Sequence, residues 1–126
     1  MLKGKHVLVV EDEFLIALET EDELAKLGCE VINATSVSEA LDIIATTDLD
    51  GATVDLKLQG QRTFQVADAL AARGIPFVFA TAMTQGDTPT AYAGIPWLQK
   101  PTTRGAVGRA LSEVMWQRAQ SEGPAP

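Results

Sequence analysis

Val7-Leu8-Val9-Val10-Glu11-Asp12-Glu13 (VLVVEDE) runs four apolar residues straight into three acids. An uninterrupted apolar run of this length marks a strand covered on both faces, the kind found in parallel sheets. Three carboxylates at the tip of a buried strand repel one another. Two like charges 4 Å apart cost about 4 kcal/mol at an effective dielectric near 20. Acids clustered there must take up protons, pair with a cationic side chain, or hold a cation. Magnesium fits the last case, because it prefers oxygen ligands and bridges carboxylate to phosphate.

Outward from this stretch the chain alternates strand and helix five times. A helix is predicted over 13–27, with Phe14, Ala17, Leu18, Leu24 and Leu27 inward and Gly28 as its stop. Residues 29–34 form a second strand, and Ser36 with Glu39 forms a capping box for a helix carrying Val37, Ala40, Leu41 and Ile44 on one face. A third strand spans 52–54 and ends at Asp55, followed by a loop over 57–62 and a helix over 63–73. A fourth strand spans 76–80. Asp87 or Thr88 caps a short helix in 84–94, with Pro89 in its first turn. The fifth strand is 96–99 and the last helix 102–118. This alternation implies a parallel sheet with helices on both faces. Residues 1–119 read as one domain and 120–126 as a flexible tail.

Composition narrows the function. The chain has 126 residues, 46% of them hydrophobic, which suits one folded domain rather than a disordered chain. The net charge of −7, with no basic cluster, argues against nucleic acid and favours metal cations or basic protein surfaces. No uncharged apolar run reaches the ~18 residues of a membrane span, and no cleavage-site pattern follows the N-terminus. Cys29 is the only cysteine, which fits a reducing cytoplasm and a small buried hydrophobe. His6 and Trp116 read as structural, Trp116 packing the final helix.

Ligands of such sheets bind at the carboxyl ends of the strands, where strand order reverses. Four of the five runs end there in reactive groups: Glu11-Asp12, Asp55, Thr81 and Lys100. In an order 2-1-3-4-5 these face one another. The set suits phosphoryl transfer, which needs positioning and charge neutralisation. A carboxylate serves as nucleophile, a lysine as point charge and a threonine as donor. Each residue also has a plainer reading. The acids favour a helix N-terminus, Asp55 suits a turn, Thr81 is a loop hydroxyl and Lys100 a solvated surface residue.

The sequence resembles the receiver domains of two-component response regulators over residues 5–117. VVEDE looks like that family's acidic pair, VDL its phosphoacceptor strand, ATA its switch hydroxyl and KP its lysine-proline. PFVFAT with VADALAARGIP is similar to an alphaproteobacterial single-domain subgroup with the motif Phe-Ala-Thr-Gly-Tyr. The resemblance implies a flavodoxin-like (βα)5 fold, a doubly wound five-stranded parallel sheet of order 2-1-3-4-5. It implies that Asp55 accepts a phosphoryl group from a sensor histidine kinase or histidine phosphotransfer protein. Magnesium would be held by Glu11, Asp12, Asp55 and the backbone carbonyl of Lys57. Thr81 would be the switch hydroxyl, Lys100 the phosphoryl-pairing cation, Trp97 a rotating aromatic, and Lys100–Pro101 a cis peptide.

On this reading the chain is a stand-alone cytoplasmic receiver, monomeric or weakly dimeric. It acts on a downstream protein target in a phosphorelay and is not an enzyme in its own right. It departs from the family pattern at Gln59, where a proline is common, and at Ala82, Met83 and Thr102, the last read as a cap for the final helix. Two other readings stand beside it. One is a phosphorylation-independent interaction module that keeps the acidic pocket. The other is a small phosphohydrolase, disfavoured because Leu56 and Lys57, not a second acid, follow Asp55.

Overall fold

The apolar run at the start of the chain becomes the first strand of a five-stranded sheet. The computed structural model describes residues 2–83 and 89–121. Along the chain come β1 (His6–Val10), α1 (Phe14–Lys26), β2 (Glu30–Ala34), α2 (Val37–Thr46) and β3 (Gly51–Val54). Then follow the short β4 (Lys57–Leu58) and β5 (Gln61–Arg62), α3 (Phe64–Ala72), β6 (Phe77–Thr81), β7 (Trp97–Gln99) and α4 (Ala106–Ser121). The sheet runs β2-β1-β3-β6-β7 with every pairing parallel. This is the expected 2-1-3-4-5 order, with the β4–β5 ribbon lying outside the sheet.

Alternation along the strands splits the core in two. Leu8, Val10, Phe77 and Phe79 join Ala40 and Ile44 of α2 and Val66, Ala67 and Leu70 of α3. Val7, Val9 and Val78 join Leu24 of α1 and Val107 and Leu111 of α4 on the opposite side. Two helices therefore cover each face, and strands buried on both faces need apolar residues at every position. Among the described residues no helix is long and apolar enough to cross a membrane.

Local signals mostly do what the residues suggest. The Ser36 hydroxyl accepts the Glu39 N–H at 3.1 Å, while the Glu39 carboxylate reaches back to the N–H of Thr35, one residue before the cap. Gly28 ends α1 with φ +92°, and Lys100–Pro101 is cis. Cys29 is buried, as read.

Several expectations are corrected. In α1 only Ala17 and Leu24 are buried, while Phe14, Leu18 and Leu27 are exposed. At 100° per residue Ala17 and Leu24 lie about 20° apart and define the sheet-facing line, with Leu18 about 100° round from it. The 57–62 loop is a hairpin, with Lys57 opposite Arg62 and Leu58 opposite Gln61. Its two-residue turn, Gln59-Gly60, has positive φ at both positions, the signature of a turn matched to strand twist. Gly105 has φ +83°, so α4 starts after it and Thr102 does not cap the helix. That helix continues through Ser121, past the helix end read at 118. Trp116 is exposed rather than packed. Asp87 and Thr88 lie outside the described residues, and Pro89 precedes a single 3-10 turn, Thr90–Tyr92.

A Cβ at Gly28 would sit 2.9 Å from the Lys3 backbone as well as in the left-handed region. Gly28→Ala is therefore expected to lower unfolding stability by about 1–2 kcal/mol. An unshifted urea midpoint would contradict this account of the α1–β2 turn.

Candidate functional site

The carboxyl edge of the sheet gathers what the sequence scattered. Val10 pairs with Val54, so Glu11 and Asp55 leave the sheet side by side, and the Asp55 N–H donates to the Val10 carbonyl at 3.0 Å. Carboxylate oxygens of Glu11, Asp12 and Asp55 lie within 4.8 Å of one another. Lys100 enters from the end of β7. Its ammonium bonds the Glu11 carboxylate and donates to Asp55 Oδ2 at 2.7 Å. Glu13, the third acid of the opening stretch, is exposed at the N-cap of α1 and stays outside this group.

Three carboxylates stand with one ammonium, which leaves an excess of negative charge at a site where Glu11 is buried and Asp12 reaches solvent. Burial pushes the Glu11 carboxyl above its usual range, against the lowering pull of its bond to Lys100. Burial would also lower the Lys100 ammonium, but its bonds to Asp55 and Glu11 outweigh that and hold it above its usual value. The lysine is thus firmly charged. The donor set of hard oxygens with surplus negative charge fits magnesium.

The hairpin after β3 braces the site, which sequence reasoning missed. The Lys57 N–H donates to Asp55 Oδ1 at 3.2 Å, and the Gln59 N–H donates to Asp12 Oδ2 at 2.8 Å. The Thr63 hydroxyl donates to the Asp55 carbonyl at 2.7 Å instead of capping α3. The available signal was Gln59-Gly60, a weak turn pair between strand-like dipeptides.

Thr81 ends β6 fully buried. Its hydroxyl accepts the Met83 N–H at 3.2 Å and its carbonyl accepts the Lys100 N–H at 2.8 Å. It stands at the same edge, bonded to its own turn. Trp97 of β7 pairs with Phe79 of β6, their ring centroids 5.9 Å apart. Its indole Nε1 is buried without a hydrogen-bond partner among the described residues. An open groove of about 1180 Å³ between α1 and α4 reaches Glu11, Asp55 and Lys100.

No protein-family model matches the chain, and neither does any curated protein. Solved structures do. SdrG from Sphingomonas melonis Fr1 is 38% identical, over 91% of this chain and 99% of that one, with a TM-score of 0.78. The response regulator PhyR from Brucella abortus is 25% identical over 94% of this chain and 51% of its own, with a TM-score of 0.80. This chain belongs to the response regulator receiver domains. The receiver domain of the sensor histidine kinase PA1611 from Pseudomonas aeruginosa PAO1 shares the fold at 22% identity. That match covers 90% of this chain and 98% of the other, with a TM-score of 0.77. That structure has a magnesium ion coordinated in its active-site cleft. The present receiver is a signalling domain with an acidic cluster at the carboxyl edge of its sheet.

Replacing Lys100 by Met tests the electrostatics. With the ammonium gone, Glu11 and Asp55 face each other without compensation. In magnesium-free buffer at neutral pH a stability loss of about 3 kcal/mol is expected. A carboxyl whose folded pKa lies above its unfolded value costs stability above the folded pKa. That cost fades as the pH falls through the folded pKa to the unfolded one, because the folded state then binds the extra proton. Lys100→Met should therefore recover toward the wild type as the buffer is acidified. A deficit independent of pH would show that lost packing, not charge, is responsible.

Proposed function

We propose that this receiver accepts a phosphoryl group on Asp55 from a phosphohistidine partner, a sensor histidine kinase or a histidine phosphotransfer protein. The observation that carries this reading is the bond of Lys100 to Asp55 and Glu11 inside the three-carboxylate group. An Asp55 oxygen attacks phosphorus and forms the new P–O bond. The P–N bond breaks, and the imidazole nitrogen leaves with the bonding pair and takes up a proton. Glu11, Asp12, Asp55 and the Lys57 carbonyl would hold magnesium. Bound there, it neutralises charge on the phosphoryl oxygens.

Lys100 stays charged through the transfer and turns from the Asp55 carboxylate to a phosphoryl oxygen. Thr81 exchanges its contact with the Met83 N–H for a hydrogen bond donated to the phosphoryl group. Because Lys100 N–H is held by the Thr81 carbonyl, the two residues move as a unit. Trp97, three residues earlier on β7, carries the change outward as the switch aromatic. Its buried, unpaired indole N–H costs about 1–3 kcal/mol, which rotation toward solvent relieves.

The partner would dock beside the site. Phe14, Leu15 and Leu18 are 75%, 70% and 50% exposed on α1, starting two residues past Asp12. Apolar side chains left outward next to a reactive carboxylate suit a protein surface that must approach it. The Phe-Ala-Thr run supports reading the chain as a member of the Phe-Ala-Thr-Gly-Tyr subgroup, with Ala82 and Met83 in the last two positions.

Three results are expected. Treatment with a small acyl phosphate and magnesium adds one phosphoryl mass, and Asp55→Asn abolishes it. No labelling of the native chain would leave a phosphorylation-independent interaction module as the better reading. Leu15→Ser slows transfer from a kinase while leaving acyl phosphate labelling intact; equal slowing of both would remove α1 as the docking surface. Neither Lys57 nor Met83 is a carboxylate or amide suited to orient water, so the phosphorylated form should outlast seconds at neutral pH. A half-life of seconds would contradict that.

A further inference from the structure

Arg62 ends β5, directly across the hairpin from Lys57. The Lys57 N–H bonds an Asp55 carboxylate oxygen at 3.2 Å, and Thr63, next after Arg62, bonds the Asp55 carbonyl at 2.7 Å. The hairpin that carries Arg62 is thus tied to Asp55 at two points. The Arg62 side chain runs from the hairpin after β3 to the turn after β6, where Nη1 donates to Met83 Sδ at 3.3 Å. β3 and β6 are adjacent strands, so this contact joins the segments that follow Asp55 and Thr81.

This is a poor use of an arginine. A thioether is a weak acceptor, whereas the guanidinium carries five donors in a planar fork that matches phosphoryl oxygens. Arg62 makes no ion pair among the described residues, in a chain of net charge −7. A strong, charged donor is parked on a soft atom at the rim of a carboxylate site. Among the described residues no carboxylate pairs with it, although three stand at the site beside it.

We propose that Arg62 is a phosphoryl-binding residue: once Asp55 carries the group, Arg62 releases Met83 and sets its fork on the phosphoryl oxygens, as a second cation beside Lys100. This rests on Asp55 being the phosphoacceptor. Arg62 makes and breaks no covalent bond; it donates hydrogen bonds to oxygens that exist only in the loaded state. Before loading, the Met83 sulfur holds it off the acidic group.

The test uses the full chain with magnesium and beryllofluoride, a phosphoryl mimic, followed through the 19F resonances of the bound fluorides. Arg62→Ala should weaken beryllofluoride binding about tenfold or more, the worth of a charge-assisted hydrogen bond. Its affinity for magnesium alone should stay equal or rise, since a cation has left the rim. Met83→Leu, which keeps the bulk and removes the acceptor, should bind the mimic at least as tightly as the wild type. Arg62→Ala binding like the wild type would overturn the inference. So would Met83→Leu weakening as much as Arg62→Ala, which would make the pair a structural strap. A wild type that binds no beryllofluoride overturns the Asp55 assignment as well, so the two failures are distinguishable.

Discussion

One ammonium wedged between two buried carboxylates organises the working edge of this sheet. Lys100 follows β7, the outermost strand on its side, and its side chain reaches past the end of β6 to Asp55 and on to Glu11 beyond β3. Nothing else among the described residues ties the outer strand to the central acids. Breaking a buried ion pair by deleting one partner costs about 3–5 kcal/mol, because a charge is left without compensation. The contact that keeps the resting edge stable is therefore also the one that any new anion on Asp55 must redistribute. Resting stability and responsiveness are two aspects of the same bond.

Short, concrete contacts lead from that bond toward the surface. The Lys100 N–H bonds the Thr81 carbonyl, and Gln99 Nε2 donates to the Ala82 carbonyl at 2.8 Å, so the ends of β6 and β7 move together. Phe79 on β6 meets Trp97 on β7 and stands edge-on to Tyr92. Tyr92 stacks on Phe64, one residue past the threonine that holds the Asp55 carbonyl, and its hydroxyl bonds Asp68. The aromatic cluster thus touches the site along two routes, through β6–β7 and through α3. Contiguity alone is not coupling; a two-state element is also needed. Trp97 is the candidate, since its unpaired indole gives it a reason to prefer another position.

Much of this was legible in the residues. Strands buried on both faces announce themselves as unbroken apolar runs, and their carboxyl ends were marked by Glu11-Asp12, Asp55, Thr81 and Lys100. The sheet order then brought those four ends together, with no further information needed. What the sequence did not reveal has a common cause. Periodicity identifies a helix but not how wide its buried stripe is, so Phe14, Leu18 and Leu27 were placed in the core beside Ala17 and Leu24, which alone are buried. Left-handed positions were equally hidden. Gly105 fell inside the helix read over 102–118 although it ends the loop before α4, and nothing required Gln59, a non-glycine, to take φ 51°.

Gln59 shows why the departures from the family pattern belong together. Proline, common at that position, fixes φ near −65° and has no N–H. The hairpin here demands positive φ at Gln59 and spends its N–H on the Asp12 carboxylate at 2.8 Å. A proline would break both the turn and the hydrogen bond that orients one of the three acids. The same hairpin carries Arg62 to Met83, a second departure, and sets Thr63 under Asp55. These substitutions are one local solution in which a backbone ribbon braces the carboxylates.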